Sequence, residues 1–195
     1  MITFPQFRRQ LWFACLLLAS LLVQGCQHAP ISNHDRRTLA TLTQLIDQRL
    51  AVAPLVARAK WNSGAPIDDP AREKLLLETL AEQARNNDLD AAFAQRFFQS
   101  QFDAGKIIQT KLHAQWRAER QSKFADAPDL ARDVRPELDR LTPQLMKALR
   151  DAYPVMRTPG ARSELAEQGR QWIRADFEGA PRAAALAVLL DAAAE

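Results

Sequence analysis

Cysteine and glycine are scarce in this chain. It has two of the first and six of the second in 195 residues, with one tyrosine and three histidines. So few thiols and imidazoles leave little for a disulfide framework or a zinc site. The shortage of glycine and tyrosine, beside abundant alanine, leucine, arginine and glutamine, favours helix over sheet. A dominant charge is also lacking. The 26 basic and 23 acidic side chains differ by three, and two of the basic ones, Arg8 and Arg9, fall in an acid-free opening segment. The remainder is almost neutral and carries no plain basic footprint for nucleic acid. A chain that is 47% hydrophobic and 25% charged is neither disordered nor fibrous. Its length suffices for one good core or two small ones.

The chain has one long apolar run, Leu11 to Val23, behind Arg8-Arg9. It is too short to serve comfortably as a permanent membrane span. A positive start, a short apolar stretch and a small residue form a secretory signal over residues 1–25, so the chain is expected to be exported. Val23-Gln24-Gly25-Cys26 resembles a bacterial lipobox, with Cys26 as the lipidated first mature residue. Ordinary cleavage nearby, with Cys26 lost or left as a free thiol, is the alternative. The expected location is the periplasm, with a lipid anchor to the envelope membrane on the first reading. Cys15 lies in the removed segment either way, so helix packing rather than a disulfide must support the mature body.

From about residue 34 helical spacing is nearly continuous. Leu39, Leu42, Ile46 and Leu50 form one buried stripe, which runs on to Trp61 with a kink expected at Pro54. Residues 62–69 read as a loop. Asp69-Pro70 starts a second helix, with a carboxylate cap and proline in the first turn, and its inner face is Leu76, Leu80 and Ala84. Asn86-Asn87-Asp88 breaks it. Asp90 caps a long third helix that buries Phe93, Phe97, Ile108, Leu112 and Trp116. Residues 122–133 read as a connection, followed by helices over 134–152, 160–176 and 181–194, with Pro136 and Pro181 in first turns. The fold class is all-α.

Some polar residues do not respect the helical pattern. Arg49 and Lys60 are eleven residues apart, three turns plus about 20° at about 100° per residue, so they share one side of the first helix, beside the apolar stripe. Each alone is explained by snorkelling; together they can line an anion pocket. Arg72 and Glu73 occupy a helix N-terminus, where free N–H groups favour carboxylate ligands. Pairing of Arg72 with Asp68 or Asp69 is the simpler alternative. Gln101, Gly105 and Gln109 lie four apart on the face of Phe97, Ile108 and Leu112. A buried amide left unpaired costs about 1–3 kcal/mol, so each needs a side chain, water or ligand. Close helix packing is an adequate account of Gly105 taken alone. His28, His34 and His113 are scattered without metal-ligand spacing. Trp61, Trp116 and Trp172 read as packing residues, and Lys106 as solvated.

The order and spacing of these groups carry more than any one of them. Arg49-x10-Lys60-Trp61, then Ile67-Asp68-Asp69-Pro70-Ala71-Arg72-Glu73, then Gln101-x2-Ala104-Gly105-Lys106-x2-Gln109 resembles the all-helical chorismate mutases. The match is to their secreted, periplasmic subclass, which carries a signal sequence and a second helical half. The resemblance spans about residues 39–116 and implies a six-helix bundle. Its catalytic region would be 34–120, and a C-terminal helical half, 121–195, would complete the site. The implied reaction is the intramolecular Claisen rearrangement of chorismate to prephenate, with no cofactor, metal or covalent catalysis.

The resemblance also implies roles. Arg49 grips a carboxylate; Lys60 reaches a carboxylate and the ether oxygen; Gln109 donates its amide to that oxygen. Arg72 organises the pocket, Glu73 accepts from the ring hydroxyl, and Asp69 caps or supports the same region. Gly105 stands where relatives often carry a small polar group. Arg135 supplies the arginine of the next helical unit, with Arg132 as the other candidate, although Pro136 is expected to push Arg135 away from helical geometry. The length leaves no room for a fused dehydratase or dehydrogenase, and the resemblance suggests a homodimer with each site mostly within one chain. A second reading is a non-catalytic helical envelope lipoprotein that binds a small dianion or a protein partner. Chorismate-shaped inhibitors bound without turnover would select it.

Overall fold

The computed structural model describes residues 31–174 and 178–194. The signal segment, Cys26, and the last expected residues of the 160–176 helix lie outside that set. Six α-helices follow one another: α1 Asn33–Ser63, α2 Pro70–Arg85, α3 Ala91–Ala118, α4 Arg135–Ala152, α5 Ala161–Trp172 and α6 Ala180–Ala192. There is no strand among the described residues. None of these helices is long and apolar enough to cross a membrane.

The ends of the first three helices are written into the sequence. Ser32 accepts the Asp35 N–H at the start of α1, and Gly64 stops it at φ 72°, a left-handed conformation that glycine adopts without penalty. Asp69 accepts from the Arg72 N–H, with Pro70 in the first turn of α2. Asp90 accepts from Phe93 N–H at 2.6 Å at the head of α3. Pro54 lies inside α1 without ending it.

Two boundaries differ from the expectation. Helix α5 stops at Trp172 because Ile173 turns extended and buries its side chain, while the Arg174 N–H donates to the Asp47 carboxylate of α1 at 2.7 Å. Residues Leu130–Val134, of which 130–133 were expected within a connection, form a π-helical turn that runs directly into α4. Asp129 caps that turn through the Ala131 and Arg132 N–H groups. The turn also corrects the expectation for Arg135. This residue is helical, at φ −58° and ψ −41°, with its N–H on Leu130 O. A proline ring crowds the carbonyl four residues back in an α-helix. The wider π register is the kind of turn that relieves such crowding ahead of Pro136.

Helix α1 is the axis of the molecule, packed against α3, α4 and α5, while α3 also carries α2 on one side and α6 on another. Leu39, Leu42, Ile46 and Leu50 meet Phe97, Phe98, Ile108, Leu141, Leu145, Leu149 and Leu165, all fully buried, and one continuous apolar cluster extends to Ala193. The chain end is tied in by two backbone bonds, Ala194 N–H to Met156 O at 2.7 Å and Arg162 N–H to Ala194 O at 2.9 Å. His113 is buried with Nε2 on Ala57 O at 2.8 Å. It packs edge-on against Trp61 at 5.3 Å, which bears out the packing reading of Trp61.

Gly169 marks the tightest approach. A Cβ there would lie 2.4 Å from Leu186 Cδ1, a buried side chain of α6. Gly169→Ala is expected to cost about 1–3 kcal/mol by overpacking. The double variant with Leu186→Ala should lose less than the sum of the two single variants, a non-additivity measurable by urea unfolding of all three.

Candidate active site

A cavity of about 660 Å³ opens between α1, α2, α3 and α4. Arg49, Lys60, Asp69, Arg72, Glu73, Gly105, Gln109 and Arg135 line it, whereas Gln101 and Arg132, also singled out in the sequence, do not. The eleven-residue spacing in α1 brings Arg49 and Lys60 to the same wall. The capped start of α2 brings Asp69, Arg72 and Glu73, the four-residue spacing in α3 brings Gly105 and Gln109, and the π turn delivers Arg135.

Arg49 is the central charge. One guanidinium N–H donates to Gln101 O of α3 at 3.1 Å, and the group lies over the Phe102 ring at 5.2 Å. It has no carboxylate partner among the described residues. Burial without a counter-charge lowers its pKa from the ordinary arginine value to about 10. A guanidinium has five donors, so most remain for a ligand. Lys60 donates to Ile67 O at 2.6 Å. Burial lowers its pKa, and the nearby carboxylates of Asp69, Glu73 and Asp68 pull the other way.

The acids expected to neutralise Arg72 are engaged elsewhere. Asp69 Oδ1 caps the Arg72 backbone N–H at 3.2 Å, and Asp68 lies 3.7 Å from Lys106. Arg72 makes no ion pair among the described residues, and neither does Arg135. Arg132, the other candidate, is exposed and paired with Asp133 at 3.0 Å; it does not line the cavity. The wall therefore holds the cations Arg49, Lys60, Arg72, Lys106 and Arg135 against the anions Asp69, Glu73 and Asp139, a formal excess of two positive charges. Among the described residues no group of three or more His, Cys, Asp or Glu is placed to hold a metal ion.

The three polar positions of α3 separate. Gln101 is fully buried and faces α6, where its Nε2 donates to Ala185 O at 2.8 Å, so it belongs to packing. Gln109 is 7% exposed. Its Nε2 donates to Gly105 O at 3.2 Å, and its Oε1 is buried without a partner. One amide N–H and the whole carbonyl oxygen are therefore available to a ligand. Close packing does not account for Gly105, since a Cβ there would meet only Ala53 Cβ and Gln109 Nε2, each at an ordinary 3.9 Å.

Similarity to known proteins agrees with this arrangement. Residues 40–110 match the model of the chorismate mutase type II family. A secreted chorismate mutase from Mycolicibacterium smegmatis is 30% identical over 152 residues, covering 78% of this chain and 82% of that protein. The chain belongs to the chorismate mutase family. The crystal structure of a chorismate mutase from Burkholderia thailandensis has a TM-score of 0.72 and 38% identity, covering 78% of this chain and 98% of that one. That of a chorismate mutase from Burkholderia phymatum has a TM-score of 0.73 and 26% identity, covering 84% and 100%. The bundle described above is thus the chorismate mutase fold.

Lys106 was read as solvated, and the structure corrects this. It lines the cavity and lies 3.0 Å from both Glu73 and Asp103. Burial alone would lower its pKa, but hydrogen bonds to Asp103 and Glu73 raise it. The Asp103-x2-Lys106 spacing, one helical turn apart, was a legible sign of that pair. Asp139 and the apolar wall of Leu138 and Met146 on α4 were not anticipated; nothing in their spacing sets them apart from an ordinary amphipathic helix.

An unpaired buried charge opposes folding. Arg49→Met should therefore keep the helical circular dichroism and a urea midpoint no lower than the parent's. It should also weaken binding of a ring dicarboxylate by at least about tenfold, the equivalent of about 1.4 kcal/mol, measured by calorimetric titration.

Proposed function

We propose that this protein is an exported, monofunctional chorismate mutase that converts chorismate to prephenate by positioning and electrostatics alone. The observation that carries this reading is the excess of cations without an ion-pair partner among the described residues, Arg49, Arg72 and Arg135, lining one cavity beside Lys60 and the remaining N–H of the Gln109 amide. The substrate is a doubly negative ring compound. Its rearrangement is intramolecular, so the protein has to hold two carboxylates, fold the enolpyruvyl arm over the ring, and meet charge that builds on the breaking ether oxygen.

In this reading Arg49 binds one carboxylate, in bidentate fashion where the geometry allows. Lys60 addresses a carboxylate and the ether oxygen, and Gln109 donates its remaining N–H to that oxygen. Arg72 and Arg135 close the pocket around the second carboxylate, Glu73 accepts from the ring hydroxyl, and Asp69 holds the start of α2. Helices α1 to α3, within 34–120, supply most of the site, and the region 121–195 completes it through Arg135. Secreted relatives such as that of Mycolicibacterium smegmatis support export. A periplasmic protein with residues 1–25 removed and Cys26 as a lipid anchor is the proposed mature form, tested by mass spectrometry of its N-terminus. A homodimer, as the family resemblance implies, is the proposed assembly, tested by light scattering.

Protein lacking residues 1–26 should deplete chorismate without added metal or cofactor. Loss of the chorismate absorbance measures this, and soluble helical protein without turnover would overturn the assignment. The pH profile follows from the two depressed cations. Arg49, with its pKa at about 10, and Lys60, also below its ordinary value, lose their charge as pH rises. Their contribution to kcat/KM should be present at neutral pH and disappear through the alkaline range toward 10. A bound dianion favours the charged forms, so the alkaline limb of kcat should lie at higher pH than that of kcat/KM.

From mildly acidic to neutral pH the profile should stay fairly flat, because the Gln109 amide donates without being protonated. Gln109→Glu should convert the protein into an enzyme that works only in acid, since the carboxyl donates only while protonated.

A further inference from the structure

Glu73 is held by one oxygen only. Lys106 Nζ donates to Glu73 Oε2 at 3.0 Å, and Gln99 Nε2 donates to the same atom at 3.4 Å. Both donors come from α3, and Gln99 is itself fixed by a 2.9 Å bond to Asp103. Oε1 takes no hydrogen bond among the described residues, on a side chain that lines the cavity. The ammonium of Lys106 is also shared with Asp103 at 3.0 Å and with Asp68 at 3.7 Å. One cation thus sits among three carboxylates from the loop, α2 and α3. It is already compensated and is a poor candidate to bind a substrate carboxylate, unlike Arg49, Arg72 and Arg135.

We propose that Lys106 is a positioning residue, which pins Glu73 through Oε2 so that Oε1 is presented to the substrate's ring hydroxyl. The inference rests on the assignment of Glu73 to that hydroxyl. It gives the compensated corner of the cavity a separate task from the unpaired cations: they take the carboxylates, and it sets which way round the ring enters. Without Lys106, Glu73 would have Asp68, Asp69 and Asp103 as neighbours, with Lys60 the remaining lysine acting on this cluster. The carboxylate would then lose its fixed orientation. A side chain that merely staples α2 to α3 would instead affect every ligand alike.

The test uses two cyclohexadiene dicarboxylate inhibitors, one bearing the ring hydroxyl and one lacking it, against the parent, Lys106→Met, Lys106→Arg, Glu73→Gln and the Lys106→Met/Glu73→Gln double variant. Lys106→Met should weaken the hydroxylated inhibitor by about tenfold, the scale of one charge-assisted hydrogen bond. The hydroxyl-free inhibitor should stay within about twofold, as expected where no lost contact reaches the ligand. Lys106→Arg should restore most of the discrimination. The double variant should be no worse than Glu73→Gln alone, because both changes interrupt one contact. Chorismate turnover should show the loss mainly in KM. Equal weakening of both inhibitors, or none of either, would overturn the role of Lys106 while leaving the assigned reaction intact. A parent protein that binds both inhibitors equally would overturn the Glu73 assignment and this inference with it. Failure of the parent to rearrange chorismate would overturn the reaction itself.

Discussion

The candidate site depends on the burial of a guanidinium that no carboxylate among the described residues neutralises. A charge withdrawn from water is tolerated when hydrogen bonds and dipoles replace its hydration, and Arg49 receives very little of either. A single backbone carbonyl and the face of Phe102 are what the protein supplies. Everything around it serves to keep that state of partial satisfaction. The acids that could have answered the neighbouring cations are committed elsewhere, Asp69 to a backbone cap and Glu73, Asp68 and Asp103 to Lys106. A doubly negative ligand therefore finds one charge, that of Arg49, already desolvated, beside cations that no acid has taken, which lowers the reorganisation needed at the moment of reaction.

The fold makes this possible by placing the site on helices rather than loops. Each site residue sits within or directly at the head of a packed element, so its position follows from helix geometry and from the apolar cluster behind it. α1 presents Arg49 and Lys60 because it stays helical through Pro54. α4 presents Arg135 because the turn before Pro136 widens instead of breaking. In both places proline is accommodated within a helical path, and the polar wall stays continuous as a result.

Much of this was legible in the sequence because helices obey a short period. The apolar stripes, the caps at Asp69 and Asp90, and the shared side of Arg49 and Lys60 follow from angles per residue and elementary capping chemistry, whereas the convergence of Gln109 with them was implied by the family resemblance. What escaped has a common cause. Lys106 looks solvated on a helical wheel because the wheel of α3 does not show the acids that α2 and its leading loop bring alongside. Gln101 and Gln109 look equivalent for the same reason; one faces α6 and the other faces the cavity, a distinction made only by tertiary neighbours. Local rules for proline predicted a non-helical Arg135, and the π register supplied a way round them. The end of α5 was misjudged because Asp47, distant in sequence, captures the backbone of Arg174.

The bond from Gln101 to the backbone of Ala185 ties the final helix to the back of the cavity wall that α3 forms. Gln101 is also the residue whose carbonyl receives Arg49, so α6 stands directly behind the segment that orients the central cation. The groups that line the cavity come from the first four helices and the segments that join them, and the backing of α3 comes from the sixth.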